Sequence, residues 1–197
     1  MVVIGLTGGI GMGKSTTAAM FRRAGFRVFD ADRAVHVLQA PGGRALAPIA
    51  AAFPGTVAGQ PPTLNRAALR AAVLAEPASL KRLEAIIHPL VRQAERRFLA
   101  HARRARARGV VLDIPLLLET GGQRRVDQVV VVSSPRTTQI ARVLRRGRMS
   151  RPEIAAVIAR QMPDHEKRRL ADYVVRTGLS RNDALRAVKR LIETLPE

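Results

Sequence analysis

Residues 8–15 read Gly-Gly-Ile-Gly-Met-Gly-Lys-Ser and fit the pattern G-x-x-x-x-G-K-[ST] without a gap or a substitution. The residues before them, 2–6, form a short apolar run typical of a buried parallel strand, and residues 16–21 can continue as a helix. Glycines let the backbone bend around an anion, and a helix N-terminus adds unpaired N–H groups and a positive dipole end. The stretch therefore predicts a nucleoside triphosphate site, with Lys14 on the phosphates and Ser15 on Mg²⁺.

Length and composition limit the class of protein. A chain of 197 residues can form one domain with a single core, and no stretch approaches the roughly 20 apolar residues of a membrane span. Met1 is followed at once by the first predicted strand, with none of the regions of a signal peptide. The chain has no cysteine, which excludes disulfides and thiolate chemistry. We therefore expect a cytoplasmic protein without a membrane partner.

The net charge of +19 is open to two interpretations. Basic proteins attract polyanions, which favours a nucleic-acid partner. Against this, 30 of the 34 basic residues are arginines scattered along the chain, and one tyrosine and no tryptophan offer little for stacking on bases. Small anionic substrates explain the charge adequately, so we expect no specific nucleic-acid function.

Five apolar segments alternate with helical patterns, which predicts a parallel, doubly wound α/β sheet. The predicted strands cover about residues 2–6, 26–29, 110–112, 128–132 and 172–175. The second strand runs into Asp30-Ala31-Asp32, and the third into Asp113, a carboxylate of the kind that holds Mg²⁺ through water. Because ligands bind beyond the carboxyl ends of such strands, we expect a carboxylate beside the phosphates. Asp30 or Asp32 can instead cap the next helix, and the residue types alone do not separate the two.

The segments between the strands are mostly helical in pattern. Helices are expected over about 14–24 and 44–53, and a loop over 54–63. From about 64 to 108 the pattern is helical, with breaks expected at Pro77 and at His88-Pro89. This stretch is too long for a simple crossover and predicts a helical insertion.

Capping signals mark the starts of three later helices. Ser134-Pro135 places a serine at the N-cap and a proline at the first helical position. Ser150 with Glu153 forms a capping box that opens a helix over about 151–161, and Ser180 caps the last helix.

Among nucleotide-binding proteins, the chain fits a small kinase best. It lacks the guanine-reading N-K-x-D of a GTPase switch, and its length leaves no room for the partner domains of a motor. A kinase needs a phosphate loop, a base, a substrate-holding helical segment and a lid with arginines, because guanidinium groups bind the charge that phosphoryl transfer spreads over oxygen. The candidates are residues 8–15, Asp32, about 64–108 and about 142–165, and the lid arginines are Arg142, Arg145, Arg146 and Arg148. A kinase for another nucleoside or nucleotide and a nucleotide-dependent nucleic-acid-binding protein stay as alternatives.

The chain resembles the dephospho-coenzyme A kinases over essentially its whole length. The motifs IGLTGGIGMGKST, FDAD, the PGG turn, LEAIIHPLVR, DIPLLLE, ARQM and ADYVV occur in the order and spacing of that family. The resemblance implies a single three-layer P-loop kinase domain over 1–197 with a five-stranded sheet. Its parts are a core of about 1–53, 109–142 and 170–197, a helical acceptor-binding insertion of about 64–108 and a helical lid of about 142–165. The implied reaction is transfer of phosphate from ATP, with Mg²⁺, to the 3′-hydroxyl of dephospho-CoA, the last step of coenzyme A synthesis.

The resemblance also implies roles for individual residues in a monomer or weak oligomer. Asp32 is the base that takes the proton of the 3′-hydroxyl, and Lys14 and Arg142 are catalytic cations. Ser15 binds Mg²⁺ directly and Asp113 through water. The ATP contacts are assigned to Gly9, Ile10, Gly11, Met12, Gly13, Lys14, Ser15, Thr16 and Arg142. The contacts with dephospho-CoA are assigned to Thr7, Asp32, His88, Pro89, Arg92, Asp113 and Leu116.

Three positions depart from the pattern of the family. Met12 stands where serine is usual, at a position where we expect the backbone to matter more than the side chain. Asn65 replaces the usual aspartate. Arg176-Thr177-Gly178 stands where an Asn-x-Gly type of turn often meets adenine, so no adenine contact is assigned there.

Overall fold

The computed structural model describes residues 1–147 and 149–196 and contains a five-stranded sheet. In chain order the strands are β1 (Val2–Thr7), β2 (Arg27–Asp30), β3 (Val57–Ala58), β4 (Thr63–Leu64), β5 (Gly109–Asp113), β6 (Gln128–Ser133) and β7 (Tyr173–Arg176). The central sheet has the order β2-β5-β1-β6-β7, and β1 pairs in parallel with both β5 and β6, as β6 does with β7. The prediction of a doubly wound parallel sheet is confirmed.

Helices occupy most of the chain between the strands. They are α1 (Lys14–Arg23), α2 (Ala31–Leu38), α3 (Leu46–Ala52), α4 (Arg66–Ala75), α5 (Pro77–Arg104), α6 (Arg136–Leu144), α7 (Arg151–Ala159), α8 (Asp164–Arg169) and α9 (Arg181–Thr194). A 3-10 turn covers Gly122–Arg125. Within the described residues, none of these helices has the length and apolar character needed to cross a membrane.

The chain folds as two compact units. The first comprises residues 1–29 and those from 102 onward, and the second comprises residues 30–101. In the first unit every residue of β1 and β5 is buried, as expected for parallel strands covered on both faces. The second unit has a core of its own, in which Leu46, Ile49 and Phe53 are buried.

The final helix packs as its apolar spacing predicts. Ala184, Val188 and Leu191 of α9 are buried in the core of the first unit. Phe21 and Phe26, which lie on either side of the turn between α1 and β2, are in the same core. Their rings meet edge to face with centroids 5.8 Å apart. This face of α9 is packing surface.

Two predictions about the second unit are wrong. Residues 54–63 are not a simple loop, because β3 and β4 pair antiparallel with Val57 opposite Leu64. The burial of Leu64 in the core of this unit favours the pairing. The break at His88-Pro89 is also wrong, since α5 continues through Pro89 as one helix of 28 residues. Proline removes one hydrogen bond from a helix, but apolar neighbours on both sides, Ile87 and Leu90 among them, pack into the core and keep both halves helical.

The predicted cap at Ser134 is wrong as well. Pro135 is the N-cap residue of α6, and no side chain caps that helix. The Ser134 hydroxyl donates instead to Met12 Sδ at 3.3 Å. The other two predicted caps are confirmed: Ser150 and Glu153 form a capping box on α7, and the Ser180 side chain accepts from Asp183 N–H at α9.

The start of α2 separates the two aspartates that residue types alone left equivalent. The Asp30 carboxylate accepts a hydrogen bond from Arg33 N–H at 2.9 Å and is the N-cap. Asp32 lies exposed in the first turn, and among the described residues its carboxylate has neither a hydrogen bond nor an ion pair. Asp30 therefore caps the helix, and the carboxylate of Asp32 is available for a different role.

We expect Asp30→Ala to lower the free energy of unfolding by about 1 kcal/mol, because the helix loses its cap. Asp32→Ala should cost about half of that or less, since only a favourable charge in the first turn is lost. Urea unfolding of the two variants measures the difference. Equal losses would contradict the assignment of the cap to Asp30.

Candidate active site

The loop between β1 and α1 has a backbone that only glycine adopts easily. Gly11 and Gly13 have φ angles of 75° and 97°, in the left-handed region. A Cβ atom on Gly11 would lie 2.7 Å from the backbone oxygen of Gln139, and one on Gly13 would lie 3.1 Å from Thr177 Oγ1. Both the conformation and the close packing therefore require glycine at these positions.

The loop leads directly into a helix whose N-terminus is free to bind an anion. Gly13 is the N-cap of α1 and provides no side-chain cap. The first turn contains no acidic residue, and Ser15 and Thr16 are exposed there. Unpaired N–H groups and the helix dipole favour a phosphate at such an end. This is the arrangement that residues 8–15 predict.

Lys14 is held next to this helix end by a carboxylate from the neighbouring strand. Its Nζ lies 2.5 Å from Oδ1 of Asp113, and their side chains are 17% and 5% exposed. Asp113 is the last residue of β5 and lies opposite Leu6 of β1 in the parallel register. The sheet therefore brings Lys14 of the loop next to Asp113, the carboxylate predicted at the end of the third strand of the central sheet.

Thr7 and Leu116 occupy different environments near the exit of β5. Thr7 is fully buried, and its hydroxyl donates to the Pro115 carbonyl at 2.9 Å. Leu116, one residue further along, is 43% exposed. Thr7 thus fastens the segment that carries Leu116.

Arg142 is bonded to a residue that sequence reasoning did not include in the site. It donates from Nη1 to Thr177 Oγ1 at 2.9 Å and from Nη2 to the Thr177 carbonyl at 2.6 Å. The Thr177 hydroxyl in turn donates to the Met12 carbonyl at 2.6 Å. Thr177 therefore connects the predicted lid arginine with the glycine loop. Thr177 follows β7 directly, at the edge of the sheet where the glycine loop lies, and this position in the sequence is what could have predicted the contact.

A cavity of about 720 Å³ adjoins the loop and the start of α1. Arg142, Arg145 and Arg146 line it, with Leu179 and Arg181 from the segment after β7. Arg148, the fourth predicted lid arginine, lies outside the described residues. The volume and the arginines suit a polyanionic ligand of nucleotide size.

The Asp183 carboxylate has a lowered pKa. A hydrogen bond from the Ser180 hydroxyl, followed by the charge and hydrogen bond of Arg186, lowers the pKa of Asp183 below its usual value. Asp183 sits in the first turn of α9, so its charge stabilises that helix end.

Two further glutamines reach the glycine loop. Gln139 Nε2 donates to the Ile10 carbonyl at 2.8 Å, and Gln161 Oε1 accepts from Ile10 N–H at 3.0 Å. Met12, although it departs from the usual serine, is 4% exposed, so its side chain is part of the core. No local pattern announced the two glutamine contacts, which join residues more than 120 positions apart.

The predicted acceptor residues of the second unit lie together. His88, Pro89 and Arg92 line a cavity of about 350 Å³ with Ala85 and Arg96. The spacing of four residues places His88, Arg92 and Arg96 on one face of α5. Because Pro89 has no N–H, the carbonyl of Ala85 is released from the helix ladder at this cavity.

The donor set at the loop fits Mg²⁺. Within the described residues no group of three or more His, Cys, Asp or Glu side chains could hold a metal ion. Mg²⁺ is commonly bound through one or two protein oxygens together with phosphates and water, and the Ser15 hydroxyl and the Asp113 carboxylate are oxygens of this kind.

Together, the parallel sheet, the glycine loop and the lysine at its helix end define a P-loop nucleotide-binding protein. The family model described as dephospho-CoA kinase matches residues 2–183. The chain is 53% identical to the dephospho-CoA kinase of Gluconobacter oxydans over 201 residues, covering 100% of this chain and 99% of the relative. The chain belongs to the dephospho-CoA kinase family.

Two solved structures share the fold of this chain. TT1252 from Thermus thermophilus is similar with a TM-score of 0.83 and 37% identity, covering 100% of this chain and 98% of that one. The dephospho-CoA kinase of Campylobacter jejuni is similar with a TM-score of 0.71 and 21% identity, over 97% of this chain and 95% of that one. The second likeness supports the fold alone.

We expect Thr177→Val to lower the free energy of unfolding by about 1–2 kcal/mol, because the Met12 carbonyl is left buried without its donor. Arg142 also loses one of its two hydrogen bonds, so the dissociation constant of ATP should rise about 2- to 10-fold. Thr177→Ser keeps the hydroxyl and should behave as the wild type. Urea unfolding and calorimetric titration with ATP measure the two effects, and identical behaviour of the two variants would contradict them.

Proposed function

We propose that the chain carries out the reaction of its family with the residues described above. The γ-phosphate of ATP is transferred to the 3′-hydroxyl of dephospho-CoA, giving coenzyme A and ADP. The new bond joins the 3′-oxygen to the γ-phosphorus, the bond from that phosphorus to the β-phosphate oxygen breaks, and the hydroxyl proton passes to a carboxylate. The observation that carries the proposal is Lys14, held 2.5 Å from Asp113 at the end of a glycine loop.

The phosphates of ATP bind the loop from Gly9 to Thr16 in this proposal. Backbone N–H groups at the start of α1 contact the phosphates, and the Lys14 ammonium neutralises the β- and γ-phosphates. Arg142 adds a planar guanidinium from the proposed lid, about 142–165, and supports the charge that develops on the transferred group. The cavity lined by the loop, α1 and Arg142 has room for the nucleotide.

Mg²⁺ is held by the Ser15 hydroxyl directly and by Asp113 through water. When bound, the ion reduces the negative charge of the β- and γ-phosphates and so favours attack by an oxygen nucleophile. Asp113 is bonded to Lys14, so its carboxylate also determines where the lysine ammonium lies.

Asp32 is the proposed base. It follows the last residue of β2 by two positions, beyond the carboxyl end of a strand of the central sheet. Asp30 is committed to the N-cap of α2, whereas the exposed Asp32 carboxylate has no partner among residues 1–147 and 149–196. A free carboxylate can accept the hydroxyl proton and can also orient the hydroxyl for attack.

Dephospho-CoA binds through the helical insertion, about 64–108. Its diphosphate is an anion, and the face of α5 with His88 offers two cations, Arg92 and Arg96, in one cavity. The carbonyl released by Pro89 adds a hydrogen-bond acceptor there. Asp113 and the exposed Leu116 complete the proposed contacts.

Thr7 contributes to acceptor binding through the loop it fastens. Its hydroxyl is already bonded to the Pro115 carbonyl, so we place its effect on the segment before Leu116. The chain acts as a single kinase domain in the cytoplasm, as a monomer or weak oligomer, without a nucleic-acid or membrane partner.

We expect Asp32→Asn to lower kcat about a hundredfold or more with little change in the affinity for ATP, because a positioned base is lost. Asp30→Asn is the matched control: asparagine caps a helix as well as aspartate does, so kcat should stay near that of the wild type. Coupled measurement of ADP release gives both values. A near-normal kcat for folded Asp32→Asn would exclude Asp32 as the base.

Arg92→Ala should raise the KM for dephospho-CoA about tenfold while the KM for ATP is unchanged, since the loss of a charge-assisted hydrogen bond is worth about 1.5 kcal/mol. Arg97→Ala, on the same helix but outside the cavity, is the control. Assays with adenosine, AMP and cytidylate as acceptors test the choice of substrate. Turnover with one of these and not with dephospho-CoA would refute the proposed acceptor.

A further inference from the structure

The main chain of Ile10 is bonded on both sides by glutamine side chains. Its N–H donates to Gln161 Oε1 at 3.0 Å, and its carbonyl accepts from Gln139 Nε2 at 2.8 Å. Gln139 belongs to α6, and Gln161 follows the end of α7. Two separate elements thus converge on one residue of the glycine loop.

Both glutamines also press against the residue before Ile10. A Cβ atom on Gly9 would lie 3.1 Å from Gln161 Oε1 and 3.2 Å from Gln139 Nε2. These distances are tighter than most real Cβ contacts, so glycine at position 9 lets the two amide groups approach the loop. Gln139 itself is 3% exposed. The contacts are therefore built into the packing and do not lie on the surface.

Gln161 is held in place by a buried ion pair. Oε1 of Glu119 lies 2.7 Å from Lys167 Nζ and also accepts a hydrogen bond from Met162 N–H at 3.1 Å. Lys167 is 1% exposed, and a buried charge of this kind requires its partner. Met162 is the neighbour of Gln161 in the chain, so the Glu119 carboxylate fixes the backbone from which Gln161 extends.

A second bond fastens the same segment. The Ser133 hydroxyl at the end of β6 donates to Asp164 Oδ2 at 2.8 Å. Met162 and Asp164, which both follow Gln161 in the chain, are therefore tied to the strand and loop regions of the first unit. An amide anchored in this way restrains the loop that it contacts.

From these contacts we infer that Gln161 and Gln139 are positioning residues for ATP binding. Ile10 directly precedes Gly11, where the left-handed turn of the loop begins. Bonds on its N–H and its carbonyl restrict rotation of the two peptide units around Ile10. The N–H groups that follow then need little reordering when phosphates bind, which strengthens binding without any contact between the glutamines and ATP. The inference rests on the proposed role of residues 8–15 in binding phosphate.

Gln161→Met tests this inference, because methionine has nearly the same length but cannot accept the Ile10 N–H with comparable strength. We expect the dissociation constant of ATP to rise about 3- to 10-fold, the effect of one lost hydrogen bond. Hydrogen–deuterium exchange at the Ile10 amide should become faster, and the KM for dephospho-CoA should not change. Gln123→Met is the matched control, since the Gln123 side-chain oxygen is buried without a partner among the described residues.

Gln139→Met acts on the opposite side of Ile10 and decides the matter if Gln161→Met does not fold. We expect it to weaken ATP binding similarly, and the double variant to lose less than the product of the single effects, because both bonds restrain one residue. Folded variants with wild-type ATP affinity, or with weaker binding but unchanged Ile10 exchange, would overturn the inference. Lys14→Ala separates the two proposals: if it retains ATP affinity, the phosphate site itself is wrong.

Discussion

The parallel pairing of β1 with β5 and β6 is the constraint on which the proposed nucleotide site depends. Because the three strands run in the same direction, their carboxyl ends meet at one edge of the sheet, and the register places Leu6 opposite Asp113 and Thr7 opposite Val131. The glycine loop starts at that edge. A carboxylate at the end of β5 therefore reaches the lysine that begins α1 without any long or mobile segment between them.

Two positively charged side chains, Lys14 and Arg142, are held by other residues close to the loop where we expect an anion to bind. Lys14 is paired with Asp113, and Arg142 donates to the carbonyl and hydroxyl of Thr177. Both contacts orient the cations, and a triphosphate carries more negative charge than either partner and binds through charge-assisted hydrogen bonds. The cations are thus held in place and can still bind a ligand. The excess of arginine along the chain does not by itself explain such placement, since at Arg142 it depends on one specific threonine.

Sequence was sufficient for the features that depend on local pattern. Apolar runs predicted the buried strands, a motif predicted the glycine loop, and short local signals predicted the caps at Ser150 and Ser180. All of these features are present in the structure. The errors occurred where tertiary packing overrides a local preference, as at Pro89, which lies within a continuous helix. Contacts between distant residues were not predicted. Thr177, Gln139 and Gln161 contact the glycine loop from distant parts of the chain, and the spacing of nearby residues carries no information about such contacts.

The departure at Met12 shows how such a distant contact changes a local rule. Serine before proline at 134–135 is a strong capping signal, yet α6 begins without a side-chain cap. Met12 Sδ lies 3.1 Å from Ser134 N and 3.3 Å from the Ser134 hydroxyl. The serine hydroxyl therefore bonds to the glycine loop and does not cap α6. Loss of a cap costs about 1 kcal/mol, whereas burying a methionine side chain contributes about 1.5–3 kcal/mol. Methionine in the loop is therefore compatible with a stable fold, and its sulfur accepts a hydrogen bond from the hydroxyl of a serine that follows the neighbouring strand β6.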